Sequence, residues 1–346
     1  MPARLLLLGI CLFMNVATAA TPNLTTEAEL NRLGLDGLQA FWRTHAVEGH
    51  FNTGDGLRLP YAKLVKGEHG KAVILVNGRT EAYLKYQELA RDLFGNGYNV
   101  YLYDHRGQGL APRLLTDPLM GYVGDFNDYV QDLEQFVQQQ VLPEQPQHLY
   151  LLAHSMGGTV SALWLAETRV KLEAAVLSSP MMGIFLGPMP RWLADALVAV
   201  LDTGCRWLGK TVCYAPGQGD YMEVAFADND LTHSETRYRL FRELYRQQPA
   251  LQLGGASLQW LRQGLMAGDD AIAKADRITT PLLVLQAGAD VVVDNEAQRA
   301  FCQAQGSCRD DNPLVIEGAA HELFIEQDPL RRQALEAALS FFEQHS

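Results

Sequence analysis

Short, unbroken apolar runs recur along this chain, separated by stretches in which apolar residues return every three or four positions. Runs of the first kind lie at 71–77, 99–103, 148–153, 174–177, 281–288 and 313–318. Each has the length of a strand, and a continuously apolar strand suits a parallel sheet covered on both faces. Helical spacing predicts helices over 83–94 and 126–140; in the second, Phe126, Tyr129, Val130, Leu133, Phe136 and Val137 fall on one face. Gly95-Asn96-Gly97 closes the first helix in the manner of a left-handed cap. Upstream, 51–65 reads as a hairpin turning at Gly54-Asp55-Gly56, and 36–50 as a helical approach segment. Strands alternating with helices predict an α/β protein built on a mostly parallel, doubly wound sheet.

The run at 151–158, Leu-Leu-Ala-His-Ser-Met-Gly-Gly, is a strand that ends in a serine and turns at once into a helix. A serine at such a turn stands with its oxygen exposed above the sheet, and its neighbours must be small because the backbone is strained and the helix packs close. Ser155 is therefore the candidate nucleophile. The common pattern is G-x-S-x-G, and Ala153 replaces the first glycine.

A serine hydroxyl needs an imidazole to take its proton and a carboxylate to orient that imidazole. Both are expected on loops after later strands, in the order acid then histidine. The loop after 281–288 supplies Asp290, with Asp294 as the competing acid; the loop after 313–318 supplies His321. We assign Asp290 and His321. Two backbone amides must face the developing oxyanion. One is expected from Met156, the other from Arg79 in the loop Asn77-Gly78-Arg79, where Gly78 lets the backbone turn toward the site. The Arg79 side chain is left to bind an anionic group or to pair with an acid such as Glu81.

The strand–helix alternation stops between 180 and 278, where helices are expected over 192–201, 234–247 and 256–266. This predicts a helical cap at 181–278, inserted before the acid strand into a core formed by 20–180 and 279–346. Such a cap would cover the nucleophile and keep water from a bound substrate. Met181, Met182, Ile184, Phe185 and Leu186 would line its entrance, giving an apolar site.

Other histidines have quieter expected roles. His105 should organise its own loop by hydrogen bonds, and His154 should point away from Ser155 and pack on the loop 104–109. Metal-binding signatures are lacking, and Gly107-Gln108-Gly109 lacks the third glycine and the following helix of a dinucleotide loop. No cofactor is expected.

Five segments carry a family resemblance: Gly78-Arg-Thr-Glu81, Asp104-His-Arg-Gly-Gln-Gly109, Ala153-His-Ser-Met-Gly-Gly158, Asp294-Asn295 and Gly318-Ala-Ala-His-Glu-Leu-Phe324. With these the chain resembles the α/β-hydrolases, in the serine-hydrolase branch that holds monoacylglycerol lipases and bacterial lysophospholipases. In that branch the alanine before His154 is shared. The resemblance runs from about residue 35 to the C-terminus. It implies an α/β-hydrolase fold and a carboxylic-ester hydrolase that cleaves single-chain lipids, lysophospholipid or monoacylglycerol, through an acyl-enzyme. An aminopeptidase, an acyltransferase, a general carboxylesterase or a non-catalytic lipid-binding protein could be built on the same fold. An aminopeptidase would need acids to grip a free amine, for which Glu223, Asp228 and Asp230 are available.

Charge and termini narrow the setting. Forty acidic residues against 28 basic ones give a net charge of −12. That argues against a nucleic-acid partner, whose phosphates demand a basic face, and weakly against electrostatic adhesion to anionic lipid. A lipid substrate still leaves room for transient contact with a membrane surface. Residues 1–19 read as a signal peptide: Arg4 gives the positive start, 5–14 the apolar core, and Ala17-Thr18-Ala19 the cleavage signature. Ile10 before Cys11 speaks against a lipidation site. Export to a periplasm or medium follows. The remaining cysteines then fall into two close pairs, Cys205 with Cys213 and Cys302 with Cys308, expected as two short disulfides, with four free thiols as the alternative.

Overall fold

The computed structural model describes residues 21–346 except 68, 188, 307, 309 and 310; the expected signal peptide lies outside the described residues. Eight strands form one sheet: β1 Ala46–Asn52, β2 Arg58–Leu64, β3 Lys71–Val76, β4 Tyr98–Tyr103, β5 His148–His154, β6 Ala174–Ser178, β7 Leu282–Ala287 and β8 Leu314–Ile316. Their spatial order is β1-β2-β4-β3-β5-β6-β7-β8. Only β2 runs against its neighbours; every pairing from β4 to β8 is parallel. The sheet is the expected mostly parallel, doubly wound one.

The unbroken apolar runs have a simple cause. Along β3, Ala72, Ile74 and Val76 enter one core while Val73 and Leu75 enter the other. In β5 the split is Leu149, Leu151 and Ala153 against Tyr150 and Leu152. Strand side chains alternate faces, so burying both faces demands apolar residues throughout. Each fully buried Leu or Val stabilises the fold by about 1.5–3 kcal/mol. One core is covered by α3 (Asn127–Phe136), α4 (Met156–Leu165), α7 (Leu258–Ala273) and α8 (Asn295–Gln305). The other is covered by α1 (Glu27–His45), α2 (Gln87–Gly95), α6 (Glu235–Gln247) and α9 (Asp328–Gln344).

Some elements differ from the expectation. The approach helix begins nine residues earlier, at Glu27, where Thr26 caps it, and it kinks at Gly34. The predicted helix over 126–140 stays α-helical only to Phe136, and Val137–Val141 continues as a π-helical turn. Helices α8 and α9 carry no expectation from the apolar runs, although Ala334, Leu335, Ala338, Leu339 and Phe342 of α9 make a clear helical stripe.

Between β6 and β7 the chain leaves the sheet. It builds α5 (Arg191–Trp207), α6 and α7, the last two capped by Ser234 and Ser257. Within this insert the sulfurs of Cys205 and Cys213 lie at bonding distance; outside it, so do those of Cys302, in the last turns of α8, and Cys308 just after it. Among the described residues, no helix is long and apolar enough to cross a membrane.

Candidate active site

The strand order reverses between β3 and β5, and the crevice beyond their carboxyl ends is where such sheets bind ligands. Two of the predicted loops emerge there side by side, because Val76 is in register with Ala153. Ser155 sits between β5 and α4 with φ 52° and ψ −121°. A left-handed serine costs on the order of 1–3 kcal/mol, so its surroundings must hold it. Its amide donates to the Ser178 carbonyl at 3.0 Å, and its carbonyl accepts the amides of Gly158 at 2.8 Å and Met181 at 3.0 Å. The two following glycines are demanded by close approach. A Cβ on Gly157 would lie 2.4 Å from the Val76 carbonyl, and one on Gly158 2.6 Å from the Pro180 ring.

His321 arrives on the loop after β8 and Asp290 on the loop after β7. Ser155 Oγ and His321 Nε2 are 2.9 Å apart, and His321 Nδ1 lies 2.7 Å from an Asp290 oxygen. Asp290 also accepts the amides of Val292 at 2.8 Å and Val293 at 3.1 Å. Burial alone would raise this carboxyl, but the hydrogen bond to His321, its charge and the two amides hold it below the ordinary aspartate range. It is therefore an ionised acceptor for the Nδ1 proton, leaving Nε2 to accept from the serine hydroxyl. The competing acid is occupied elsewhere: Asp294 caps α8, accepting the Glu296 amide at 2.9 Å.

Gly78 runs directly beside the serine. A Cβ there would be 3.1 Å from that of Ser155 and 2.9 Å from a Glu81 oxygen. Its amide donates to Glu81 at 2.6 Å and its carbonyl accepts from Gln108 at 2.7 Å. Among the described residues, the amides of Met156 and Arg79 donate to no protein acceptor. Thr80, next in the loop, is also left-handed, with φ 62°. The loop after β4 braces the whole. His105 donates through Nε2 to the Asn77 carbonyl at 3.0 Å, and burial pushes its imidazole down to about 4. Asp104 accepts the amides of Tyr83 and Leu110.

Beneath this lies a buried ionic cluster. Lys85 donates to Glu81 at 2.8 Å and to Glu322 at 2.7 Å. Glu81 also accepts from the Tyr86 hydroxyl at 2.6 Å. Ligand atoms of Glu81, His154 and Glu322 come within 4.8 Å of one another, but the Lys85 ammonium already supplies their cation. The His154 ring packs beside the catalytic imidazole. As the last residue of β5 it faces away from Ala153, and its ring centroid lies 4.8 Å from that of His321 and 6.3 Å from that of Phe324. Burial, then the neighbouring His321 and Lys85 charges, push it down to about 3 against the pull of Glu81.

A cavity of about 420 Å³ opens above Ser155 and His321. Gly78, Met181 and Phe185 line it, as do Ile184 and Leu186. Met182 is a correction: it turns into the core, where its backbone abuts Gly268 of α7, and does not reach the cavity. The apolar wall is completed by residues the sequence did not single out, among them Ala256, Trp260, Leu261, Val292 and Val293. The Arg79 side chain does not pair with Glu81. It lies over the Trp260 ring at 4.8 Å and donates to the Gly254 carbonyl at 2.9 Å.

The family model described as Serine aminopeptidase, S33 (Hydrolase_4), matches residues 67–328. The chain belongs to this family. It is 39% identical to lysophospholipase L2 of Escherichia coli (strain K12) over 326 residues, covering 93% of this chain and 94% of that protein. It is 34% identical to a probable lysophospholipase L2 of Haemophilus influenzae, covering 84% of this chain and 90% of the relative. The crystal structure of Paleococcus ferrophilus monoacylglycerol lipase superposes with a TM-score of 0.63 at 22% identity, covering 83% of this chain and 99% of that one. The fold of this family member is therefore that of the α/β-hydrolases.

Proposed function

We propose that the chain is a serine hydrolase that cleaves the carboxylic ester of a single-chain lipid through an acyl-enzyme on Ser155. The observation that carries this reading is the relay from Asp290 through His321 to Ser155, opening into an apolar cavity. Ser155 Oγ attacks the ester carbonyl while His321 Nε2 takes its proton. The amides of Met156 and Arg79 hold the oxyanion, and His321 returns the proton to the leaving glycerol oxygen. Water, activated by the same imidazole, then releases the fatty acid and frees the serine. Met181, Ile184, Phe185, Leu186, Trp260 and Val293 accept the acyl chain. The names of the relatives, lysophospholipases and monoacylglycerol lipases, support this substrate class.

An aminopeptidase fits less well. Glu223, Asp228 and Asp230 do not line the cavity, and its two acids, Glu81 and Glu322, are both already ion-paired to Lys85. The insert at 181–278 acts as the lid. Trp192, Val200, Trp207 and Leu208 on and just after α5 are strongly exposed; large apolar side chains in water suit transient contact with a lipid surface. The signal sequence and the two cysteine pairs support export with both disulfides formed.

Rates of hydrolysis on lysophospholipids, monoacylglycerols, short nitrophenyl esters and aminoacyl-nitroanilides test the reading. Long single-chain esters should be preferred, and Ser155→Ala should lower turnover by roughly 10⁴-fold or more. A Ser155→Ala protein with most of its activity, or a preference for the anilides, would refute it.

A further inference from the structure

Arg106, Arg237, Arg242 and Arg331 are all buried. Three of them face acids: Arg106 meets Asp132 at 2.6 Å, Arg237 meets Glu88 at 2.9 Å, and Arg331 meets Asp92 at 2.7 Å. Arg242 forms no ion pair among the described residues. It rests 4.9 Å from the rings of Tyr238 and Phe241 and donates to the hydroxyls of Tyr238 at 2.9 Å and Tyr221 at 3.3 Å. Half-buried Arg79 is alike, with Trp260 and one carbonyl as its partners. Both have an Nε atom shut off from solvent with no acceptor. A buried cation without a counter-charge is costly, so a pair of them around one space calls for an anion.

That space exists. A second chamber of about 290 Å³ adjoins the catalytic cavity, and Arg79 and Arg242 both line it. The two spaces share Arg79, Thr80, Gln218, Leu231 and Glu322. Its own acids are engaged: Asp220 accepts from the Tyr214 hydroxyl at 2.8 Å, and Glu322 is held by Lys85. Tyr221, Tyr245 and Gln218 add aromatic and amide groups to the wall, Lys85 a further cation, and Met222, Val224 and Leu253 apolar surface.

We propose that this chamber binds the phosphate of a glycerophosphate headgroup through Arg79 and Arg242, while the acyl chain of the same molecule fills the cavity above Ser155. The inference rests on the ester-hydrolase reading and adds to it the place and the side chains that would recognise the headgroup. Guanidinium is suited to the task because its fork of N–H donors matches phosphate oxygens. Arg79 links the two functions, its amide at the oxyanion and its side chain at the headgroup.

The test compares an ether-linked lysophosphatidylglycerol with the ether-linked alkylglycerol of the same chain, neither of which has an ester to cleave. Each is assayed as an inhibitor of nitrophenyl butyrate hydrolysis, and its binding is measured by calorimetry. The phosphate-bearing ligand should bind about tenfold or more tightly to the wild type. Arg242→Gln should remove that advantage, Arg242→Lys should keep part of it, and both should still label at Ser155 with a fluorophosphonate. Equal binding of the two ether lipids by the wild type would overturn the proposal without touching the hydrolase reading. Failure to hydrolyse any lipid ester would defeat that reading, yet the calorimetric comparison would still decide the chamber. Inhibition by glycerol phosphate as strong as by the ether lysolipid would mean a site for free phosphate esters and would also overturn it.

Discussion

Adding one methyl group at position 78 should disable the site while leaving the fold. The new Cβ of Gly78→Ala would lie 2.9 Å from a Glu81 oxygen, 3.1 Å from the Ser155 Cβ and 3.2 Å from the His154 ring. Ordinary contacts begin near 3.4 Å, so something must move by a few tenths of an ångström. Gly78 itself is pinned on both sides, by its amide to Glu81 and its carbonyl to Gln108. Breaking the charged bond to Glu81 would cost about 1.5–3 kcal/mol. The cheaper response is a shift of the Gly78–Arg79 peptide away from the serine, which misplaces the Arg79 amide. Loss of one oxyanion donor is worth about 10²–10³ in kcat. We therefore expect Gly78→Ala to lower kcat on a nitrophenyl ester by about 10²-fold, with KM within a few-fold of the wild type. Steady-state kinetics give both values, and thermal unfolding gives the accompanying loss of stability. A variant that keeps kcat within about threefold of the wild type would refute the argument that this loop supplies the second donor.

The two acids after β7 should separate cleanly. Asp290→Asn should lower kcat by about 10⁴, because the amide favours the wrong imidazole tautomer, whereas Asp294→Ala should cost about 1 kcal/mol of stability by uncapping α8 and leave turnover within a few-fold; nitrophenyl ester kinetics and urea unfolding read the two. His154 should make stability depend on pH. Its folded value lies near 3, below the ordinary imidazole, so the unfolded chain binds the proton first and stability is lost as pH falls from about 6.5 toward 3. Relative to His154→Phe, the wild type should lose about 2 kcal/mol of unfolding free energy between pH 7 and pH 5; identical pH dependence in the two proteins would contradict the assignment.

Much of the sheet is legible in the sequence because strands buried on both faces must be apolar at every position, and β3, β5 and β7 announce themselves that way. The elbow is equally legible. Gly157 and Gly158 have no room for a side chain, so the sequence there has little freedom. The choice between Asp290 and Asp294 is harder, since both follow β7 on one short loop. What decides it is α8, whose N-cap Asp294 is, and reading Asp294-Asn295-Glu296 as a helix start would have removed the rival. The error at Met182 has a different cause. It follows the end of β6, and the direction of its side chain is set by packing against a distant segment, α7. Arg242 could not have been singled out, because an arginine on an amphipathic helix looks solvated until its missing acid becomes visible.

The central claim is that Ser155 carries the acyl group. Rapid quenching of the enzyme with a long-chain nitrophenyl ester, followed by mass spectrometry of its peptides, tests this directly. The account predicts one acyl adduct on the peptide containing Ser155, present during turnover, absent in Ser155→Ala and accumulating in variants slow to deacylate. Ester cleavage with the acyl group on another residue, or undiminished cleavage by Ser155→Ala, would contradict it.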